Sequence, residues 1–215
     1  MELLHTWLGQ NIDYLRGLEI QQQAVDSILA GETGNHVFSL EHEPIYTIGR
    51  TRDQSSLGEN MALLPHPAIE INRGGQATYH GPGQLTGYPI VDLRPLGKDL
   101  HSYVRNLEKA LILTCSDFGV QAGRRDGLTG VWVENRKLAS IGVGVRKWIA
   151  MHGYAINIKR NSLTGFQAIT PCGLDGVTMT SLESECNSDI SVKEFASQCA
   201  AHLKNVLEKM VSQSA

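Results

Sequence analysis

The sequence contains no apolar run that approaches the ~18 residues a membrane-spanning helix needs. Residues 1–5 also lack the basic segment and the long apolar stretch of a secretory signal peptide. Charged residues make up only 19% of the chain, below the roughly 25% of typical globular proteins. This scarcity argues against a disordered chain, a coiled coil or a nucleic-acid-binding tail, so we predict a globular, cytoplasmic protein.

Signatures of metal and redox sites are missing as well. The chain has four cysteines, Cys115, Cys172, Cys186 and Cys199. None belongs to a C-x-x-C pair, so neither a zinc knuckle nor a redox dithiol is expected. No H-E-x-x-H motif or comparable histidine cluster occurs either. We therefore predict reduced cysteines and no metal site.

The composition indicates one globular domain. Hydrophobic residues make up 41% of the 215 residues, and a chain of this length can bury a sizeable core in one unit. No internal repeat and no Pro/Gly/Ser-rich linker divides the sequence. We expect a single domain over residues 1–215.

Apolar periodicity predicts the order of secondary structure. Helical spacing indicates helices over 12–30, 100–115 and 192–210, with Asp99 and Ser191 as caps. Strands are predicted at 36–40, 45–48, 69–72, 85–93, 131–133, 138–145 and 152–158. Residues 50–67 are polar and irregular. Helices separated by groups of strands favour an α+β fold with a mixed or antiparallel sheet and flanking helices.

The most unusual segment is Arg73–Gln84, which carries four glycines. Glycines permit tight bends and a close approach of the backbone to a ligand. Arg73, Gln76, Thr78 and His80 add hydrogen-bond donors around the same bend. The segment matches neither a P-loop nor a dinucleotide-binding motif. A ligand site and a turn-rich hairpin explain it equally well.

Cys172 differs from the other cysteines in its neighbours. It lies within Pro171–Gly173, a predicted loop, whereas Cys115 and Cys199 fall on apolar helical stripes typical of core residues. Cys186 is close to two glutamates, whose charges disfavour a thiolate. Cys172 is therefore the candidate nucleophile, with a structural role as the alternative.

A nucleophilic cysteine needs a base or a cation nearby. At a reference pKa of ~8.5 only about 3% of a thiol is ionised at pH 7, and lowering the pKa to ~7 takes about 2 kcal/mol. Lys137, at the start of a predicted strand, becomes a usable base if packing desolvates its amine. His80 and His152 are the other candidates, and chemistry like that of papain favours one of them.

Four motifs follow one another along the chain: Arg73–His80, Arg136–Gly142, His152–Asn157 and Pro171–Gly173. Together they resemble the lipoate-protein ligase B family, the octanoyl-(acyl-carrier-protein)–protein N-octanoyltransferases. The resemblance implies the fold of the biotin/lipoate protein ligase catalytic domain, an α+β unit with a mixed sheet.

The resemblance also implies roles for individual residues. Cys172 carries the acyl group as a thioester, and Lys137 activates it in preference to the histidines. His152 and Asn157 become supporting residues. The residues implied in acyl binding are Arg73, Gly74, Gly75, Gln76, Ala77, Thr78, Tyr79, His80, Ser140, Ile141, Gly142, Gly153, Tyr154 and Ala155.

The implied reaction moves an octanoyl group from octanoyl-acyl carrier protein, whose phosphopantetheine bears it, to a lysine of a lipoyl domain. The implied acceptors are the lipoyl domains of 2-oxoacid dehydrogenase complexes and the glycine cleavage H protein. No ATP, metal or other cofactor is expected. The alternatives are an ATP-dependent lipoate or biotin ligase, a cysteine thioester hydrolase that uses Cys172, and a binding module without catalysis.

Charge is distributed unevenly along the chain. The formal net charge is −3, yet residues 121–160 hold eight basic and two acidic residues. Because acyl carrier proteins are acidic, we expect part of this segment to steer their docking, and charge reversal at Arg146 and Lys147 tests one pair of its residues. A solvated set of strand-edge charges is the alternative.

Overall fold

The computed structural model describes residues 2–50, 64–169 and 177–214. Most of the predicted irregular segment 50–67 and the candidate nucleophile Cys172 lie outside the described residues. Within the described ranges no helix has the length and the apolar character that crossing a bilayer requires.

The described residues form the following elements. The strands are β1 Leu3–Ile12, β2 Asn35–His42, β3 Ile45–Ile48, β4 Ala68–Glu70, β5 Thr78–His80, β6 Gln84–Asp92, β7 Gly123–Arg125, β8 Leu128–Val133, β9 Arg136–Arg146, β10 Ile149–Asn157 and β11 Thr178–Met179. The helices are α1 Tyr14–Ala30, α2 Leu100–Asp117, α3 Leu182–Cys186 and α4 Val192–Ser214, with a 3-10 helix at Arg160–Ala168.

The main sheet is mixed. Its strand order is β1-β2-β6-β10-β9-β8-β7, and β11 also pairs with β9. The β1–β2 and β11–β9 pairs are parallel, and the other pairs are antiparallel. A smaller sheet has the order β4-β3-β5. The predicted α+β fold with a mixed sheet and flanking helices is confirmed.

The helix ends follow from local chemistry. The Asp99 carboxylate accepts the Ser102 N–H at 2.9 Å and begins α2, as predicted. Ser191 accepts the Glu194 N–H at 3.3 Å at the start of α4, again as predicted. At the end of α1, Gly31 adopts a left-handed conformation with φ 76°.

Helices cover both faces of the main sheet. Along β6, Leu85 belongs to the hydrophobic cluster of α2 and α4, whereas Ile90 packs with Val25 and Ile28 of α1. Because successive side chains of a strand point to opposite faces, α1 lies across the sheet from α2 and α4. The functional residues lie on the α1 face, as the next subsection shows.

The predicted core cysteines are where the apolar stripes place them. Cys115 of α2 and Cys199 of α4 are buried in one hydrophobic cluster, and both are free thiols. Burial raises the pKa of Cys199 to about 11, although hydrogen bonds from Tyr154 and Thr114 partly oppose that effect. The pKa of Cys115 is also raised by burial. Neither thiol is suited to act as a nucleophile.

Candidate functional site

A narrow pocket with a free volume of about 60 Å³ lies on the α1 face of the main sheet. It is bounded by β6, β9 and β10 and is covered by the segment Arg73–His80. Among the residues implied by the resemblance, those that line it are Arg73, Gly75, Gln76, Ala77, Thr78, His80, Lys137, Ser140, Ile141, Gly142, His152, Gly153, Tyr154 and Ala155. Segments far apart in sequence thus meet at one site.

Three residues of the predicted set do not line the pocket but lie next to it. Gly74 donates its N–H to the Val143 carbonyl at 3.1 Å, which ties the covering segment to β9. The buried Tyr79 ring packs edge-on against Phe166, with ring centroids 5.7 Å apart. Asn157 donates to the Thr180 carbonyl at 3.0 Å. Their contacts fit a supporting role.

Three lining residues were missed by the sequence analysis. Tyr14 comes from α1, and Thr86 and Tyr88 come from β6. The Tyr88 hydroxyl donates to His42 Nε2 at 2.6 Å, and the Tyr14 hydroxyl is hydrogen-bonded to Tyr88. His42 in turn donates through Nδ1 to the Ile12 carbonyl at 2.8 Å. This chain of buried groups forms one wall of the pocket.

Small residues keep the floor of the pocket open. In the antiparallel β9–β10 pair, Ser140 lies opposite Ala155, and Gly142 lies opposite Gly153. A Cβ atom on Gly142 would lie 2.8 Å from the Gly74 carbonyl oxygen, so the covering segment approaches β9 as closely as backbone allows. The small side chains leave a slot that suits an extended apolar group.

Arg73 fixes the covering segment to the smaller sheet. Its guanidinium donates to both the carbonyl and the hydroxyl of Thr47 at 2.8 Å, and to the Gly74 carbonyl at 3.0 Å. Arg73 is buried, so its positive charge acts on its neighbours through protein rather than through water.

The buried histidines of the site are neutral at pH 7. The pKa of His80 lies well below its usual value because the ring is buried and lies near His42 and Arg73. Burial and then the charge of Arg73 lower the pKa of His152 to about 4. Burial likewise lowers the pKa of His42 to about 4. None of these imidazoles supplies a positive charge to the pocket.

These pKa values predict a loss of stability in weak acid. In the unfolded chain, His42 and His152 become protonated below about pH 6.5. In the folded protein they stay neutral until the pH falls to about 4, because burial lowers their pKa. Each should therefore cost the folded state on the order of 1 kcal/mol per pH unit over this window. Urea unfolding at pH 7.5 and pH 5 measures the loss.

The contribution of one histidine is separated by substitution. The His42→Gln variant should show a smaller drop in unfolding free energy between the two pH values, whatever its stability at pH 7.5. His101→Gln, at an exposed position of α2, is the matched control and should keep the wild-type pH dependence. Equal pH dependence in all three proteins would contradict the assignment.

Lys137 is the buried lysine at one end of the pocket. Its side chain is 3% exposed, and Nζ lies 5.3 Å from the ring centroid of Trp132. The aliphatic stem runs past Gly130, where a Cβ atom would lie 3.0 Å from Lys137 Cε and 2.5 Å from the Ala139 carbonyl oxygen. Gly130 therefore provides the space in which the lysine stem lies.

A buried carboxylate holds Gly130 in place. Glu108 of α2 accepts the Gly130 N–H at 3.0 Å, and its other oxygen accepts Arg105 at 2.8 Å and Arg124 at 2.7 Å. Charge-assisted hydrogen bonds of this kind are stronger than neutral ones. They fix α2 against β8 and so define the wall beside Lys137.

The chain that follows the candidate nucleophile returns to the same strand. Met179 of β11 pairs with Lys137, and the Thr180 N–H donates to the Lys137 carbonyl at 2.9 Å. Cys172 itself lies outside the described residues. In the part of the chain that is described, no three His, Cys, Asp or Glu side chains are grouped as metal ligands would be.

Comparison with known proteins gives a consistent set of relatives. Residues 13–204 match a family model described as the lipoyl protein ligase A/B catalytic domain. An octanoyltransferase from Pelobacter propionicus is 43% identical over 198 residues, which cover 92% of both chains. An octanoyltransferase from Geobacter sulfurreducens is 46% identical over 193 residues, or 88% of this chain and 79% of the relative.

Solved structures agree on the fold. A bipartite lipoate protein ligase from Thermoplasma acidophilum has a TM-score of 0.63 at 16% identity. The match covers 100% of this chain and 84% of the ligase chain. Biotin protein ligase from Aquifex aeolicus, in complex with biotin and ATP, has a TM-score of 0.62 at 11% identity. The match covers 96% of this chain and 71% of the ligase chain. The predicted likeness to the biotin/lipoate ligase fold is confirmed.

Proposed function

We propose that this chain, which belongs to the lipoyl protein ligase A/B catalytic domain family, transfers an acyl group in two steps through Cys172. Its activity is that of an octanoyltransferase of lipoate biosynthesis. The observation that carries the proposal is the buried Lys137 at one end of a narrow slot lined by small residues. The slot suits a linear acyl chain, and the lysine lies on β9, the strand to which the polypeptide returns after Cys172.

In the first step the Cys172 thiolate attacks the carbonyl carbon of an octanoyl thioester on acyl carrier protein. A new C–S bond forms to Cys172, and the C–S bond to phosphopantetheine breaks. Lys137 accepts the proton of the Cys172 thiol and returns it to the departing phosphopantetheine sulfur. The products are an octanoyl-enzyme and a free carrier thiol.

In the second step the lysine amine of a lipoyl domain attacks the octanoyl-enzyme. The amide C–N bond forms, the C–S bond to Cys172 breaks, and Lys137 moves the amine proton to the departing sulfur. Exchange of one thioester for another is nearly balanced, whereas conversion of a thioester to an amide is downhill. The proposed reaction therefore needs neither ATP nor a metal.

The slot contributes binding energy and protection from water. Burial of an alkyl chain stabilises the complex by ~0.8 kcal/mol for each methylene. A filled slot also keeps water from the acyl-enzyme, which favours transfer over hydrolysis.

We expect the donor to be octanoyl-acyl carrier protein and the acceptors to include lipoyl domains of 2-oxoacid dehydrogenase complexes and the glycine cleavage H protein. Of the basic residues predicted to steer the acidic donor, Arg146 forms an ion pair with Asp26 at 2.8 Å. Lys147 is exposed at the turn between β9 and β10. Lys147 is therefore the better placed of the two for steering.

The test incubates the protein with octanoyl-acyl carrier protein and an apo lipoyl domain, without ATP, and follows the intact mass of all three proteins. We expect an octanoyl group to leave the carrier, to appear transiently on the enzyme and to end on the lipoyl domain. A parallel reaction contains free octanoate and ATP in place of the octanoylated carrier, and transfer in that reaction alone would indicate a ligase. Release of free octanoate without an acceptor would indicate a hydrolase.

A further inference from the structure

The acyl pocket ends at His152. Lys137 lies at the start of β9, and the β9–β10 register places His152 opposite Val143, six residues further along the strand. At ~3.3 Å for each residue, these six residues span ~20 Å. The Lys137 stem covers the first part of that length, because its Cε lies beside Gly130 and near the Ala139 carbonyl. An extended eight-carbon chain with C–C bonds of about 1.5 Å has a length on the order of 9 Å. From the level of Ala139 to that of Val143 about 13 Å of strand remain. An octanoyl chain that starts beside Lys137 Nζ therefore extends toward His152 and covers most of this length.

A second, larger groove lies behind His152. This groove has a free volume of about 660 Å³, against about 60 Å³ for the pocket. Its lining is mixed: the apolar side chains of Leu15, Leu18, Ile71, Val145 and Met151 lie among the charged ones of Glu19, Arg50, Glu70 and Arg146. Among the described residues, His152 is the one that lines both the pocket and the groove.

The His152 imidazole is positioned as a partition. Gly144, which lines the groove, has no side chain, and a Cβ atom there would lie 3.0 Å from His152 Cδ2. On the backbone side, the His152 N–H donates to the buried Gln21 side chain of α1 at 2.8 Å. Its φ of 59° is in the left-handed region, which a histidine adopts at some energetic cost.

The partition is less firmly bonded than the rest of the wall. The His152 ring is hydrogen-bonded to the Asn72 backbone, but within the described chain its Nδ1 has no hydrogen-bond partner. Tyr14, Tyr88 and His42, in contrast, form a continuous chain of buried hydrogen bonds. Removal of the His152 ring thus opens the pocket while leaving that chain intact.

We infer that His152 sets the upper limit of acyl chain length, because its imidazole closes the octanoyl pocket off from the larger groove behind it. This inference rests on the proposed acyl transfer and explains its selectivity for acyl chain length. A chain longer than eight carbons meets the His152 ring in the wild-type protein. Without the ring, the extra methylenes enter the groove and are buried there.

The test compares octanoyl- and dodecanoyl-acyl carrier protein as donors for the wild type and the His152→Gly variant. Glycine suits the positive φ and keeps the N–H that Gln21 accepts. We expect the ratio of kcat/KM for dodecanoyl to that for octanoyl to rise at least about tenfold, the lower end of what one methylene is worth. An unchanged ratio in an active variant would overturn the inference.

A groove substitution tests where the extra methylenes lie. Val145→Asp, at an exposed position of the groove, should leave octanoyl transfer unchanged on its own. Combined with His152→Gly, it should bring the ratio back toward that of the wild type, because a charge disfavours alkyl burial. A ratio that stays high in the double variant would contradict the assignment of the groove.

Two further measurements keep the inference separate from folding and from the proposed function. If His152→Gly is inactive, calorimetry measures the binding of free dodecanoate to the Cys172→Ser protein and to the His152→Gly/Cys172→Ser double variant. We expect the double variant to bind dodecanoate more tightly. Equal binding would overturn the inference. If the wild type transfers no octanoyl group at all, the proposed function fails instead.

Discussion

The Cys172→Ser variant is expected to form no octanoyl adduct and to lose at least about 10³-fold in octanoyl transfer. A serine hydroxyl is far less ionised than a cysteine thiol near neutral pH, so Lys137 does not suffice to make it an effective nucleophile. Intact mass after incubation with octanoyl-acyl carrier protein measures the adduct, and modification of the lipoyl domain measures transfer.

Cys186→Ser provides the matched control. Cys186 is half-buried in α3, whereas Cys115 and Cys199 are buried, so Cys186 is the most accessible of the described cysteines. Its replacement should leave both the adduct and the transfer rate at wild-type levels. Full transfer by the folded Cys172→Ser variant would refute the two-step route, and loss of the adduct in Cys186→Ser would reassign the nucleophile.

The Lys137→Met variant is expected to lose 10²- to 10⁴-fold in octanoyl transfer, the usual range for removal of a general acid–base group. Methionine keeps an unbranched stem that can lie beside Gly130 and Trp132, so the fold should persist. Single-turnover kinetics measure the two steps separately. Both acylation and transfer to the lipoyl domain should slow, because Lys137 moves a proton in each.

Two other lysine variants define the role of Lys137. Lys147→Met removes an exposed lysine from the β9–β10 turn and should leave the single-turnover rates unchanged with a carrier-free octanoyl thioester as donor. Lys137→Arg carries a permanent positive charge and does not exchange a proton near neutral pH, so it should not support activity. Substantial activity in Lys137→Arg would assign Lys137 an electrostatic role, and wild-type rates in Lys137→Met would remove it from the mechanism.

Much of the pocket was predictable because its residues occur in short motifs. The segment Arg73–His80 and the strands that carry Lys137 and His152 were identified in the sequence, and the structure places them around one pocket. Tyr14, Thr86 and Tyr88 were missed, since each lies in an ordinary amphipathic or apolar element with no local mark of function.

The strands that were not predicted lack a strong apolar pattern of their own. Strand β1 lies at the edge of the sheet and most of its residues are half-buried or exposed, so it lacks a clear alternation of apolar and polar residues. Strand β5 falls inside the glycine-rich bend. Strands β5 and β7 have only three residues each, and β11 has only two. Such short pairings depend on the neighbouring strand rather than on their own sequence.

The sequence by itself determined the three long helices, the principal strands and the motifs of the site, because periodicity and capping are local properties. The short helix α3 and the 3-10 helix at Arg160–Ala168 were not predicted. Only the tertiary structure decided how these parts face one another. The strand register of β9 and β10 places His152 between the pocket and the groove, and Glu108 reaches across from α2 to fix Gly130 beside Lys137. These arrangements join residues distant along the chain, and no local pattern encodes them.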